Sequence, residues 1–292
     1  MKAVKSINTQ SSNDHDNGKV VENPWSDLRR FTDARIGLGR AGISLPTSEM
    51  LAFQLSHAQA RDAVNFPLDI SEMTKTLSAI DALSVVEKPL SLQSEAVDRV
   101  TYLQRPDLGR KLNQAGRTTL LNTMQSRQSS TQAQYDLAIV VVDGLSSLAV
   151  QKNAAPFISE LLKQLPTEPS PYKIAPITLV EQGRVAIGDD IGELLNAQVV
   201  MVLIGERPGL SSPDSLGLYL TWEPKTGLND ACRNCISNIR PAGLSYFEAA
   251  RRAVYLLQEA KKCGLTGVNL KDRTQDDVIE HQVQTTNFLI AE

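Results

Sequence analysis

Two short stretches hold the residue types that a binding site needs. Val142-Asp143-Gly144-Leu145-Ser146-Ser147 and Ile204-Gly205-Glu206-Arg207-Pro208-Gly209 each follow an apolar, β-branched run and set an acid beside glycine. Glycine lets backbone come close to a bulky ligand. Free N–H groups at the start of the next helix or loop hold an oxyanion or an amide oxygen. The same residues also serve simply as turns, and on residue types alone the two readings stand level. Self-contained catalytic sets are missing. Gly144-Leu145-Ser146-Ser147 does not spell the nucleophile elbow G-x-S-x-G. Gly37-Leu38-Gly39-Arg40-Ala41-Gly42 has the letters of a dinucleotide fingerprint but follows a helical pattern rather than a strand, so dinucleotide binding is discounted there. Cys232 and Cys235 form C-x-x-C without a second pair, which argues against zinc. A redox pair would sit at a helix N-terminus after a strand, and two small semi-buried thiols are the plainer expectation. His57, alone on a helix face with Phe53 and Ala60, reads as a hydrogen-bonded structural residue. Arginines at 35, 40 and 61, and the run Arg105-Pro106-Asp107-Leu108-Gly109-Arg110, suit carboxylate pairing across an interface or within the chain.

The elements that must position these residues follow from pattern. The chain has 292 residues, 41% hydrophobic and 22% charged, with a net charge of −3, 5% aromatics, three cysteines and three histidines. These values exclude a fibrous or wholly disordered chain and a disulfide framework. They also give no electrostatic pull toward nucleic acid or anionic lipid. No apolar run reaches the ~18–20 residues that span a bilayer. The first 22 residues lack the apolar stretch of a secretory signal, which makes the cytoplasm the default compartment. Residues 1–22 are polar and read as a disordered tail. Residues 23–112 read as a helical N-terminal domain, with a glycine-rich bend at 37–42 and a helix start at Pro46-Thr47. Met50, Phe53, Ala60 and Val64 form an apolar stripe along that helix. Residues 113–275 read as an α/β domain. Strands are expected over 135–143, 172–180, 199–205, 216–222 and within 231–239, and helices over 145–165, 189–196 and 245–263, the last ended by Gly264. Strands alternating with helices predict a mostly parallel, Rossmann-like sheet, with ligands beyond the carboxyl ends of its strands. Residues 276–292 read as a C-terminal extension.

Seven stretches together resemble one family. They are TDARIGLGRAGISLPT (32–47), FQLSHAQARDAV (53–64), YLQRPDLGRKL (102–112), VVVDGLSS (140–147), EQGRVAIGDDIGELL (181–195), VLIGERPGLSSPDSLGLYL (202–220) and CISNIRPAG (235–243). In this order the chain resembles the small (light) subunit of ethanolamine ammonia-lyase over residues 24–271. The resemblance implies an N-terminal helical segment before a Rossmann-like α/β domain. It also implies a lyase whose large subunit, a TIM barrel, binds ethanolamine and holds the radical chemistry of adenosylcobalamin, releasing acetaldehyde and ammonia. The small subunit would cover the barrel mouth and hold part of the corrinoid. That division accounts for the missing catalytic groups, because the cofactor supplies the hard step and the protein supplies positioning and water exclusion.

Carried over residue by residue, the cobalamin contacts fall on Val185, Glu206 and Cys235, with Ser146, Gly205, Arg207 and Ser237 as weaker candidates on the same rim. Val185 would pack on the dimethylbenzimidazole or corrin edge, Glu206 would accept from corrin amides or a ribose hydroxyl, and the small Cys235 would allow close approach. No catalytic residue and no metal ligand are assigned to this chain. Neither Asp14-His15-Asp16-Asn17-Gly18 nor the surroundings of His57 match D-x-H-x-x-G, so the cofactor is expected to keep its own base on cobalt. Some members load into a bacterial microcompartment through an amphipathic N-terminal helix, and residues 1–22 show no such stripe. The alternatives are a stand-alone nucleotide- or corrinoid-binding module, and more remotely a thiol redox protein using Cys232 and Cys235.

Overall fold

The computed structural model describes residues 23–32, 34–83, 86–127 and 134–274. The tail expected over 1–22 and the extension expected over 276–292 lie outside them. The chain divides into two units, one up to Gln54 and one from Leu55.

The second unit is built on a six-stranded sheet. The strands are β1 (Leu90–Gln93), β2 (Tyr135–Val142), β3 (Thr178–Glu181), β4 (Ala197–Gly205), β5 (Leu216–Trp222) and β6 (Arg233–Ile239), in the order β1-β3-β2-β4-β5-β6. β1, β3, β2 and β4 run parallel, β5 runs antiparallel to them, and β6, antiparallel to β5, returns to the direction of the first four. The chain is thus α/β with a mostly parallel sheet, as its alternating pattern predicts. β2 and β4 are near-continuous apolar runs because both their faces are covered. Leu137, Ile139 and Val141 of β2, with Val199, Met201 and Leu203 of β4, face α5 (Ser147–Gln164) and α7 (Tyr246–Cys263). Ala138, Val140 and Val142, with Val200, Val202 and Ile204, face α6 (Ile187–Leu194) and Leu120 of α4 (Gln114–Arg127). The two-residue period of a strand therefore sorts one apolar run into two cores.

The register sets the sheet's carboxyl edge. Val142 lies level with Val180 of β3 and Ile204 of β4, and Gly205 pairs with Leu216, which pairs with Ile239. The ends of β2, β3 and β4, the start of β5 and the end of β6 thus share one rim. α5 starts there, its N-cap Ser146 accepting from Ala149 N at 3.2 Å. α7 ends at Gly264, in the left-handed conformation expected of a C-cap.

Two expectations need correction. Residues 23–112 are not all helical. α1 (Thr47–Asn65), α2 (Ile70–Ser78) and α3 (Arg99–Gln104) are there, but Leu90–Gln93 joins the sheet as its edge strand β1. Four residues with only Leu92 buried carry too little alternation to read as a strand. The strand expected over 172–180 forms only at Thr178–Glu181. Pro171 and Pro176 lack the N–H that a ladder needs, and the stretch between them touches β2 at a single bridge, Ile174 to Leu137.

In the first unit no described residue is buried. The 3₁₀ segment Pro24–Phe31 leaves Trp25 68% and Phe31 77% exposed, and Ile43 at the glycine-rich bend is fully exposed. The stripe on α1 also meets little core, since Met50 and Phe53 stay exposed and Ala63 is the helix's buried residue.

Candidate functional site

The site grows from Asp143, the residue after β2. Its carboxylate accepts from the backbone N–H groups of Gln182 (2.8 Å) and Gly183 (3.1 Å), which tethers the turn after β3 to the end of β2. Gln182 takes a positive φ of 55°, and the two bonds to Asp143 hold it there. Burial raises the Asp143 pKa to about 6, against the pull of those N–H donors and of Arg99, whose Nη1 lies 3.7 Å away. Arg99 opens α3, capped by Asp98, and its guanidinium donates to the carbonyls of Val64 (2.7 Å) and Gly144 (2.8 Å) and to the Gln182 side chain (3.3 Å). One arginine therefore pins α1, α3 and the turns after β2 and β3 together.

A turn further along α3, Tyr102 is fully buried, its ring centroid 4.7 Å from the Arg99 guanidinium and 4.1 Å from that of Arg184. Burial lifts the Tyr102 phenol to about 12, although both arginines favour the ionised form. The hydroxyl has no hydrogen-bond partner among the described residues. Arg184 donates from its backbone N–H to Gly109 O (2.7 Å) and from Nη2 to Tyr102 O (3.1 Å). A side chain at position 109 would strike the Arg184 stem at 2.9 Å, so glycine is required there.

The ends of β2 and β4 come together closely. Gly144, at φ +60°, leaves no room for a Cβ beside Gly205, and a Cβ on Gly205 would sit on the carbonyl oxygens of Asp143 and Ser146. Leu145 N donates to Gly205 O at 2.9 Å and welds the two turns.

Over this edge opens a pocket of about 410 Å³. Leu145, Val185 and Ile204 give it apolar walls, Tyr102 and Tyr219 aromatic ones, and Arg184, Glu206 and Arg207 its charges. Glu206 is oriented from two sides. Its Oε2 accepts from the Ser215 hydroxyl and from Asn238 N (3.3 Å), while its backbone N–H donates to Ser215 O (3.0 Å). Gly217 leaves space for the carboxylate, since a Cβ there would lie 2.9 Å from Oε1. Tyr219 of β5 stands opposite Cys235 of β6 in the register, and its hydroxyl bonds to the thiol. Packing around the thiol raises the Cys235 pKa and the Tyr219 hydroxyl works against that rise, although the residue as a whole is exposed.

The structure therefore brings Val185, Glu206, Gly205 and Arg207 to one pocket, with Cys235 one residue removed through Tyr219. Ser146 is not on its rim. It is fully buried, caps α5 and donates its hydroxyl to Pro213 O at 2.7 Å. Ser237 is an exposed residue of β6 and does not line the pocket. Cys232 ends a 3₁₀ turn (Asp230–Cys232) and Cys235 lies within a strand, so neither has the helix N-terminus of a redox pair. Arg105 pairs with Asp107 at 2.7 Å, within the chain. Among the described residues no three His, Cys, Asp or Glu side chains gather as a metal site would require. Tyr102, Arg184 and Tyr219 escaped sequence reasoning. Arg184 adjoins Val185 in a stretch already singled out, but only the packing of α3 and the β5–β6 register reveal the two tyrosines.

Comparison with known proteins gives the family. The profile of the ethanolamine ammonia-lyase light chain (EutC) family matches residues 22–271. The ethanolamine ammonia-lyase small subunit of Pseudomonas fluorescens (strain Pf0-1) is 53% identical over 272 residues, covering 92% of this chain and 95% of its own length. That of Azotobacter vinelandii is 54% identical over 262 residues (89% and 92%), and that of Pseudomonas syringae pv. tomato 49% over 281 residues (96% and 94%). With half its residues shared along nearly the full length of such relatives, the chain belongs to the ethanolamine ammonia-lyase small-subunit family, a component of a lyase.

Proposed function

We propose that this chain is the small subunit of an adenosylcobalamin-dependent ethanolamine ammonia-lyase and holds part of the cofactor against a catalytic, TIM-barrel large subunit. The observation that carries the reading is the pocket on the sheet's carboxyl edge, where Val185 and Glu206 meet and Cys235 stands behind Tyr219. Its residues fit a corrinoid. About 410 Å³ takes one edge of a macrocycle and not the whole, which suits a site completed by a second chain. Apolar Leu145, Val185 and Ile204 suit a ring edge or a benzimidazole. Glu206, fixed through Oε2, keeps Oε1 available for an amide N–H or a ribose hydroxyl. When bound, the cofactor supplies radical chemistry through its cobalt–carbon bond; this chain's residues bind, orient and exclude water.

The partner follows from what the chain leaves bare. On α3, whose inner side carries Arg99 and Tyr102, Val100 is 61% and Leu103 40% exposed, and neighbouring Val97 is also exposed. In the first unit Trp25, Phe31 and Ile43 are exposed. Apolar surface of this kind marks a protein interface, and the large subunit is the occupant that a small subunit implies. A stand-alone binding module would keep these side chains in water. No described helix is long and apolar enough to cross a membrane. We assign the holoenzyme to the cytoplasm, and any microcompartment targeting to segments outside the described residues.

The test combines this chain with the large subunit, adenosylcobalamin and ethanolamine. Acetaldehyde release should require all of them, and activity independent of this chain would refute the reading. Glu206→Ala should weaken cobalamin binding to the assembly by about 1–3 kcal/mol, the cost of removing one partner from a buried polar contact. Unchanged affinity removes Glu206 from the site.

A further inference from the structure

We infer that Arg184 is the anion-reading residue of the pocket and takes the phosphodiester of the cofactor's nucleotide loop, an inference that rests on the cobalamin reading above. Its partners make Arg184 an exception. In the unit from Leu55 onward, the other half-buried or buried arginines, Arg99, Arg117, Arg233, Arg240, Arg251 and Arg252, each meet a carboxylate at 3.7 Å or less. Arg184 meets none among the described residues. Its guanidinium has one hydrogen bond, from Nη2 to Tyr102 O, and Nε is buried without an acceptor. A guanidinium kept partly out of water without a counter-charge is costly unless a ligand supplies the charge.

The group is also held in place. Tyr102 lies under it at 4.1 Å, Gly109 grips its backbone and leaves room for its stem, and the turn that carries it is tied to Asp143. A pre-set planar fork is the geometry that binds a phosphate through two parallel hydrogen bonds. Among the described residues Glu206 forms no ion pair with it, its Oε2 being turned to Ser215 and Asn238. Across the pocket stand two guanidiniums, Arg184 and exposed Arg207, against one carboxylate, an excess of one positive charge. A corrinoid's peripheral amides are neutral, and the nucleotide loop carries its one anionic group, the phosphodiester. Charge complementarity therefore sets that loop beside Arg184 and leaves Glu206 for the amides or sugar.

The test compares cobalamin with cobinamide, which lacks the phosphodiester and nucleotide, on this chain assembled with the large subunit. Affinity is read by equilibrium dialysis with corrinoid absorbance. Arg184→Met keeps the stem over Tyr102 and removes the charge. It should weaken cobalamin by about ten- to a hundredfold, the size of a lost charge-assisted pair, and leave cobinamide within about twofold. Arg184→Lys, which keeps the charge, should fall between the parent and Arg184→Met for cobalamin. Equal loss of both corrinoids, or full retention of cobalamin by Arg184→Met, overturns the inference while the cofactor reading stands. A parent assembly with no affinity for cobalamin overturns both.

Discussion

Asp143 does most to decide the shape of the site, and it does so as a buried acid. Two backbone N–H groups and Arg99 stabilise its charge, yet burial outweighs them and raises its pKa from an ordinary 3.8 to about 6. The sign follows. Because the folded pKa lies above the unfolded one, the native state holds the proton more tightly between about pH 4 and 6, so stability from this group falls as pH rises through that window. The 2.2-unit difference (6 − 3.8) corresponds to on the order of 3 kcal/mol. Asp143→Asn should therefore gain on the parent by about that amount between pH 4 and pH 7, measured by denaturant unfolding at each pH. A difference that stays flat would show that the carboxylate is already ionised at pH 4.

Pairs of elements bring the glycines and ion pairs into use. β2 and β4 approach so closely at their ends that Gly205 touches backbone on two sides, and backbone cannot move aside as a side-chain tip can. Gly205→Ala should destabilise the chain by about 1–3 kcal/mol, read as a lower denaturant midpoint with an unchanged slope. A loss below about 1 kcal/mol would mean that the two turns separate freely and that the weld between Leu145 and Gly205 is incidental. α6 is fixed in a different way. Adjacent acids on one helix reach opposite partners, Asp189 binding Arg233 of β6 through both oxygens and Asp190 binding Arg117 of α4 and the Leu112 N–H. The first pair is buried on both sides and the second on the acid's side only, and together they tie α6 to β6 and α4 just after the turn that carries Arg184 and Val185.

For the molecule as a whole, the informative feature is what stays uncovered. The sheet unit has a full core on both faces, yet α3 turns Val100 and Leu103 to solvent next to the pocket, and the N-terminal unit buries none of its described residues. Val100→Glu should leave the isolated chain's stability within about 0.5 kcal/mol, as exposed substitutions do. It should weaken assembly with the large subunit by at least about tenfold, as a charge set in an apolar contact does. Unchanged assembly, followed by analytical ultracentrifugation, would take α3 out of the interface.

The class of fold, the long strands and helices, the turns at 143–147 and 205–209, and the family are all legible along the chain. Each of these is local: side-chain period, capping residues and glycine spacing act over a few positions, and family motifs are local strings in a fixed order. Val185 and Glu206 were legible because they stand within such strings. Tertiary structure alone decided which distant residues meet. Tyr102 reaches the pocket because Arg99 ties α3 to two turns 45 and 83 residues further on, and Tyr219 faces Cys235 through strand register. It also recruited four residues of weak pattern as β1 and kept 172–177 out of the sheet, through the missing N–H groups of two prolines. Contacts between chain-distant residues depend on crossover connections and register, which no local pattern encodes, and for that reason the lone arginine at 184 became visible only in the folded chain.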